Sequence, residues 1–133
     1  LPFAVAEILA EAGVSVEIMS PRMYAGEKLY RNLDILYIFP KLKKLGVKIT
    51  HQYFIEEIKA NEVDVYDIWT GVDTLETRTG VDTVILSILR LADDELYSAC
   101  AEKFKEVHRI GDMSAPRDVT AAIHEGEKIG RAI

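Results

Sequence analysis

The run "VDTVILSIL", Val81 to Leu89, constrains this chain more than any other stretch. It is the most apolar strand-like segment of the sequence, and far shorter than the roughly 20 residues of a membrane span. A central position in a sheet, covered on both faces, explains such a composition. The remaining elements have to be arranged around it.

They alternate in type. Val5, Ile8, Leu9 and Ala12 share one helical face, and Gly13 supplies a stop. "VSVEIMS" (Val14 to Ser20) reads as a strand closed by Pro21. A helical region is expected from Lys28 to Leu45, interrupted at Pro40, which lacks an amide donor. Gly46 ends it, and Val47 to Thr50 enters a second strand. Tyr53 to Ile58 and Val63 to Trp69 have β character. In the latter, Val63, Val65 and Asp67 alternate with Asp64, Tyr66 and Ile68, as on a sheet with one better-covered face. Thr70 to Gly80 is polar and turn-rich, a hairpin or an excursion. Asp93 to Lys105 is expected to be helical, Val107 to Ile110 a short strand, and Arg117 to Ile133 the closing helix.

Strands alternating with helices predict an α/β layered fold with a mostly parallel sheet. Nucleotide-binding βαβ folds open on a strand and a glycine-rich turn, whereas this sequence opens on a helix. The expectation is a Rossmann-like three-layer fragment of a longer protein, with its first strand missing.

Composition narrows the function classes. The chain has 133 residues, 49% hydrophobic and 29% charged, enough for a real core. Its formal net charge of −6 argues against nucleic acid, since no broad basic surface is available. Lys41, Lys43 and Lys44 form the one dense cationic cluster, expected as a solvated helix face. No membrane partner is expected. Cys100 is the single cysteine, so it can form no internal disulfide and cannot alone hold zinc or an iron–sulfur cluster. The absence of a basic leader and the lone thiol fit a cytoplasmic location, with Cys100 expected as a small buried hydrophobe. His51, His108 and His124 share no metal-ligand spacing; His124 is expected in solvent and His108 packed. Asp93, Asp94 and Glu95 read as partners of a helix dipole. No nucleophile elbow or phosphate loop appears. Of Trp69 and Tyr66, at least one is expected in the core.

The chain closes on "VHRIGDMSAPRDVTAAIHEGEKIGRAI". Here the end of an apparent strand meets the start of a helix, the corner at which open α/β sheets place ligands. Gly111 permits a backbone path closed to other residues. Asp112 offers an ionised acceptor for ribose or ribitol hydroxyls, or else a cap. Pro116 suits a first helical turn, where a missing amide costs little. Val119, Ala122, Ile123, Gly126, Ile129, Gly130 and Ile133 form one stripe, whose glycines would let the helix lie close against a sheet.

This ending resembles the C-terminal segment of the NADH:flavin oxidoreductases related to trimethylamine dehydrogenase, histamine dehydrogenase and 2,4-dienoyl-CoA reductase. That family ends on a "GDxxAPR" run, an "AxxxG" helix and a basic-apolar finish. Gly111, Asp112, Ala115, Pro116, Arg117, Ala122, Gly126 and Arg131 match in order. "AEILAEAGVSVEIMSP", "PKLKKLGVKI", "VDVYDIW" and "VDTVILSILRLADDELY" are similar to upstream parts, so nearly the whole chain is covered. "VDVYDIW" is most similar to the amine dehydrogenases.

The resemblance implies a flavoprotein oxidoreductase whose barrel, carrying FMN and a 4Fe-4S cluster, lies outside this sequence. It implies an NAD(P)-binding-like module over residues 1–92, lacking its opening strand and glycine-rich turn. Residues 93–133 would be the return segment of an FAD- or ADP-binding-like module. Gly111, Asp112, Pro116 and Arg117 are the implied cofactor-binding residues, with FAD or ADP at this corner and NAD(P)H a further candidate. No residue here is assigned to catalysis, and no metal site is expected. Implied partners are an adenine dinucleotide, the remainder of the full-length polypeptide and an electron-transfer flavoprotein. The alternative is a non-catalytic structural or docking module for an electron acceptor, with a vestigial nucleotide pocket. Two positions depart from the family pattern: Ile88 and Leu89 stand where relatives carry small residues. Arg22, after the second expected element, reads as a surface arginine rather than a partner for the 2′-phosphate of NADP.

Overall fold

The computed structural model describes residues 2–31 and 33–133, which divide into two compact units, Leu1–Ser87 and Ile88–Ile133. The first unit opens with helix α1 (Pro2–Glu11), followed by strand β1 (Glu17–Ser20). Two helices, α2 (Glu27–Arg31) and α3 (Ile35–Lys44), then lead to strand β2 (Lys48–His51). β1 and β2 pair in parallel, from Glu17 opposite Lys48 to Ser20 opposite His51. Parallel neighbours require a crossover, and α2 and α3 supply it.

The core of this unit gathers Phe3 and Ala6 of α1, Ala25, Leu42 of α3 and Val47, with Ile18, Ile49 and Phe39 packed around them. The Phe3 and Phe39 rings meet with centroids 5.8 Å apart. Lys41 reaches from α3 to Glu7 at 2.5 Å and Glu11 at 3.0 Å on α1. The lysine cluster is therefore partly a bridge between helices, not a wholly solvated face. The helical region is interrupted at residues 33–34, while Pro40 sits inside α3. Pro40 is exposed there.

The same unit then builds an antiparallel sheet from β3 (Tyr53–Ile58), β4 (Glu62–Asp67) and β5 (Glu76–Thr79), in that order. A bulge between Ile55 and Glu57 shifts the β3–β4 register. The polar stretch expected to turn does so: Gly71–Thr74 forms a short 3-10 turn into β5. β4 is covered on both faces rather than one. Val65 is fully buried, and Asp64, pointing the other way, is only 5% exposed. Asp64 is tolerated because both carboxylate oxygens are occupied. Lys59 Nζ donates to Oδ2 at 2.6 Å and Thr77 Oγ1 to Oδ1 at 2.7 Å.

The α/β class therefore stands, but the sheet is not mostly parallel: β1–β2 is one parallel pair beside three antiparallel strands. The expected central strand is also absent. Residues 81–94 form no ladder, and Ile88 and Leu89 are 77% and 79% exposed. Apolar composition supplies the faces of a strand but not its hydrogen bonds. Val81 donates to the Asn61 carbonyl at 3.0 Å, and beyond it no described backbone pairs with residues 82–93.

The second unit contains α4 (Glu95–Ala101), a 3-10 turn at Gly111–Met113 and α5 (Val119–Gly130). Val107 to Ile110 joins no sheet among the described residues, against the expectation of a strand. Helix α5 buries no residue. Val119, Ile123 and Ile133 stay exposed, and a Cβ at Gly126 or Gly130 would meet nothing within 4 Å. The glycine stripe thus packs against no sheet among the described residues.

Candidate functional site

The corner at Gly111 is held by a closed set of bonds within the second unit. Ile110 arrives extended, and Gly111 turns the chain with a φ of 64°. That is left-handed backbone, disfavoured for any residue with a Cβ. The Ser114 and Ala115 amides both return to the Gly111 carbonyl, at 3.0 and 3.1 Å. The Gly111 amide donates to Glu125 Oε2 of α5 at 2.7 Å, and the Arg117 guanidinium donates to the other oxygen of the same carboxylate. One side chain on α5 therefore anchors both ends of the loop.

Asp112 lies at the surface of this loop. Its Oδ1 accepts the Arg117 amide at 3.3 Å, five residues along, in the manner of an aspartate closing a turn. Oδ2 takes no donor among the described residues. Beside it opens a hollow of ≈ 310 Å³ lined by Arg90, Leu91, Asp93, Asp112, Met113 and Pro116. That volume is near the lower limit for small-molecule sites, enough for a sugar or nucleoside portion rather than a whole dinucleotide.

Pro116 lines this hollow but does not begin a helix, because α5 starts at Val119. The cap is Asp118, whose Oδ1 accepts the Ala121 amide at 2.9 Å. Arg117 likewise precedes α5 and turns back onto Glu125 and the Ala115 carbonyl. The structure thus brings Gly111, Asp112, Pro116 and Arg117 into one loop, with Asp112 and Pro116 facing the hollow.

Sequence reading missed Glu125, Arg90 and Asp93. Glu125 had a signal: it stands three residues after Ala122, beside the apolar stripe, where an acidic group needs a reason. Nothing local marked Arg90 as a lining residue. Asp94 precedes α4 without capping it by its side chain, and instead pairs with Arg109 at 3.0 Å. The Arg109 guanidinium in turn lies 5.4 Å from the Tyr97 ring centroid.

Other candidates fall away from the corner. His108 is exposed and 3.0 Å from Glu106, not packed as expected, because its segment has no sheet to face. His124 is exposed, as expected. Cys100 is a free thiol, half-buried rather than fully buried. Arg22 is an exposed loop arginine 3.1 Å from Glu27. Trp69 is 70% exposed, while Tyr66 is half-buried against Phe54, their centroids 5.8 Å apart. Among the described residues no cluster of His, Cys, Asp and Glu has the makings of a metal site. No helix among them is long and apolar enough to cross a membrane.

No protein-family model matches the chain, and none of the curated proteins does. Solved structures do. Histamine dehydrogenase from Rhizobium sp. 4-9 superposes with a TM-score of 0.84 at 27% identity, over 98% of this chain and 21% of its own. The 6-hydroxypseudooxynicotine amine oxidase of Pseudomonas geniculata N1 gives 0.84 at 25% identity, over 96% of this chain and 19% of its own. A 2-naphthoyl-CoA reductase in complex with 2-naphthoyl-CoA gives 0.78 at 28% identity, over 98% of this chain and 19% of its own. The chain therefore spans about a fifth of the length of these relatives. A dehydrogenase, an oxidase and a reductase each contain a portion with this architecture. More narrowly, the chain is related to the oxidoreductases of the trimethylamine dehydrogenase-like family, as its closing motif implies.

Proposed function

We propose that the chain is the C-terminal dinucleotide-binding portion of a flavin-dependent oxidoreductase. In this reading its Rossmann-like modules scaffold an adenine dinucleotide or ADP beside a catalytic barrel outside these 133 residues. One observation carries the reading. Asp112, matched to the family motif, keeps a carboxylate oxygen that takes no donor among the described residues, at the rim of a hollow sized for a sugar. A ribose or ribitol hydroxyl would donate to Oδ2, with Pro116 and Met113 as the apolar wall and Arg90 as the nearby cation for a phosphate. Asp93 and Asp112 together oppose a diphosphate placed deep in the hollow, so the phosphates would lie at the Arg90 side. A bound flavin would supply the redox chemistry. This chain's residues would hold and orient, and none is given a catalytic role.

The test is calorimetric titration of the chain with ADP, FAD and NAD(P)H, repeated on Asp112→Asn. Asparagine keeps an Oδ1 for the Arg117 amide while replacing Oδ2 with a donor, so the loop should survive and the ligand contact should not. Affinity for ADP or FAD is expected to fall by about fivefold to tenfold, the worth of one hydrogen bond. Equal affinity in both proteins would remove Asp112 from the site.

A second reading has its own support. Gly111, Arg117 and Glu125 bond to one another without any ligand, as expected of a docking module whose pocket is vestigial. Neither heat nor a thermal shift with any of the nucleotides would favour it.

A further inference from the structure

We propose that His51 is a proton-operated latch on the loop that follows β1. That loop, residues 21–26, leaves the carboxyl end of β1 and returns across the end of β2 before entering α2. Two bonds tie it to β2's end. Gln52, at a φ of 64°, donates its amide to the Arg22 carbonyl at 3.2 Å. The Ala25 amide donates to His51 Nδ1 at 3.0 Å. The first tie is indifferent to pH, and the second is not.

Imidazole accepts at Nδ1 only while that nitrogen carries no proton, so the closed latch requires the neutral ring with hydrogen on Nε2. A proton added to Nδ1 would set N–H against N–H. Ala25 is 2% exposed and belongs to the core cluster, so its amide would have no water to turn to. A buried donor that loses its acceptor costs more than the bond was worth. Closure and a proton on Nδ1 therefore exclude each other.

Against His51 stand β1 and the loop itself. Ser20 is its register partner on β1, and the Tyr24 ring stands edge-on with its centroid 6.4 Å away. The loop's charged pair, Arg22 with Glu27 at the start of α2, is closed on itself at 3.1 Å. None of these supplies an unengaged carboxylate to hold an imidazolium in place. Releasing Ala25 while Gln52 keeps Arg22 would free Met23 and Tyr24, both already exposed, to move about a retained hinge. The carboxyl ends of parallel strands are where α/β sheets meet their ligands, so a latch there makes that edge sensitive to acidity.

The experiment is NMR on the full chain between pH 7.5 and 5, reading three signals. They are the His51 ring nitrogens, the scalar coupling across the Ala25 N–H···Nδ1 bond, and the Ala25 amide protection against that of Leu42. The coupling should be present at pH 7.5 and vanish as His51 protonates, with Ala25 protection falling at least about fivefold relative to Leu42. In His51→Asn, whose Oδ1 stands in for Nδ1, Ala25 protection should be flat across the range. The proposal fails if the coupling persists while His51 titrates, if His51 stays neutral down to pH 5, or if the asparagine variant shows the same fall. Should that variant not fold, the coupling in the unaltered chain still decides.

Discussion

Gly26 is the residue whose replacement should be felt most directly. Its φ of 73° lies in the left-handed region, and a Cβ built there would stand 2.7 Å from the Phe3 ring. Phe3 is buried and leans on Phe39, so it has little room to retreat. Gly26→Ala should destabilise the first unit by about 2–4 kcal/mol, summing a left-handed backbone penalty and an overpacked core. Urea unfolding followed at that unit would measure it, and a loss below about 0.5 kcal/mol would show that the ring moves aside freely. Nothing in the local sequence announced this contact, since Phe3 and Gly26 meet only through the tertiary fold. The turn that Asp112 closes with the Arg117 amide was easier to anticipate, because it is made by immediate neighbours in the sequence. Asp118 was passed over as the cap because the boundary of α5 was placed two residues early, at Arg117.

Among the elements, the antiparallel sheet carries the clearest electrostatic signature. Lys59, then Thr77, hold the Asp64 carboxyl below its ordinary 3.8, outweighing the burial that would raise it. Asp64, first among its partners, holds Lys59 above its ordinary 10.5. A depressed carboxyl stabilises the fold above its unfolded value, and that contribution is lost as pH falls through the folded one. The raised lysine contributes below its unfolded value and loses that contribution as pH climbs past the folded one. The β3–β4–β5 sheet should therefore be most secure between about pH 4 and 10 and loosen on the acid side first. Asp64→Asn should flatten the acid limb of a stability–pH curve; an unchanged limb would show the pair to be inert. β3 and β4 were visible as alternating or turn-bounded runs because hairpin strands find partners nearby in sequence, whereas β5 lay inside the stretch read only as a turn-rich hairpin or excursion. The register, the bulge and the buried charge were not visible, since each depends on which residue faces which. Val81 to Leu89 forms no strand for the same physical reason: apolarity is local, whereas a ladder needs a second backbone.

Over the whole molecule, burial is distributed unevenly. Every described residue in the buried core lies in the first unit, and neither α4 nor α5 buries a side chain. Amide exchange should divide accordingly, with the most protected amides of α3 and β2 slower than any in residues 88–133 by about 100-fold or more. Protection of α5 equal to that of α3 would contradict this. The α/β class and the kinship to redox enzymes were readable from the order of elements and the closing motif. The sheet's real composition was not, because the number of parallel neighbours is a property of the assembled fold. The bare stretch from Ile85 to Leu91 has one further consequence. A β-prone ribbon whose amides pair with no other strand is a template on which other chains can stack into fibrils. Asp82 on one side, and Arg90 and Asp93 on the other, put charge at both ends of that ribbon, so that growth by stacking must bring like charges into register.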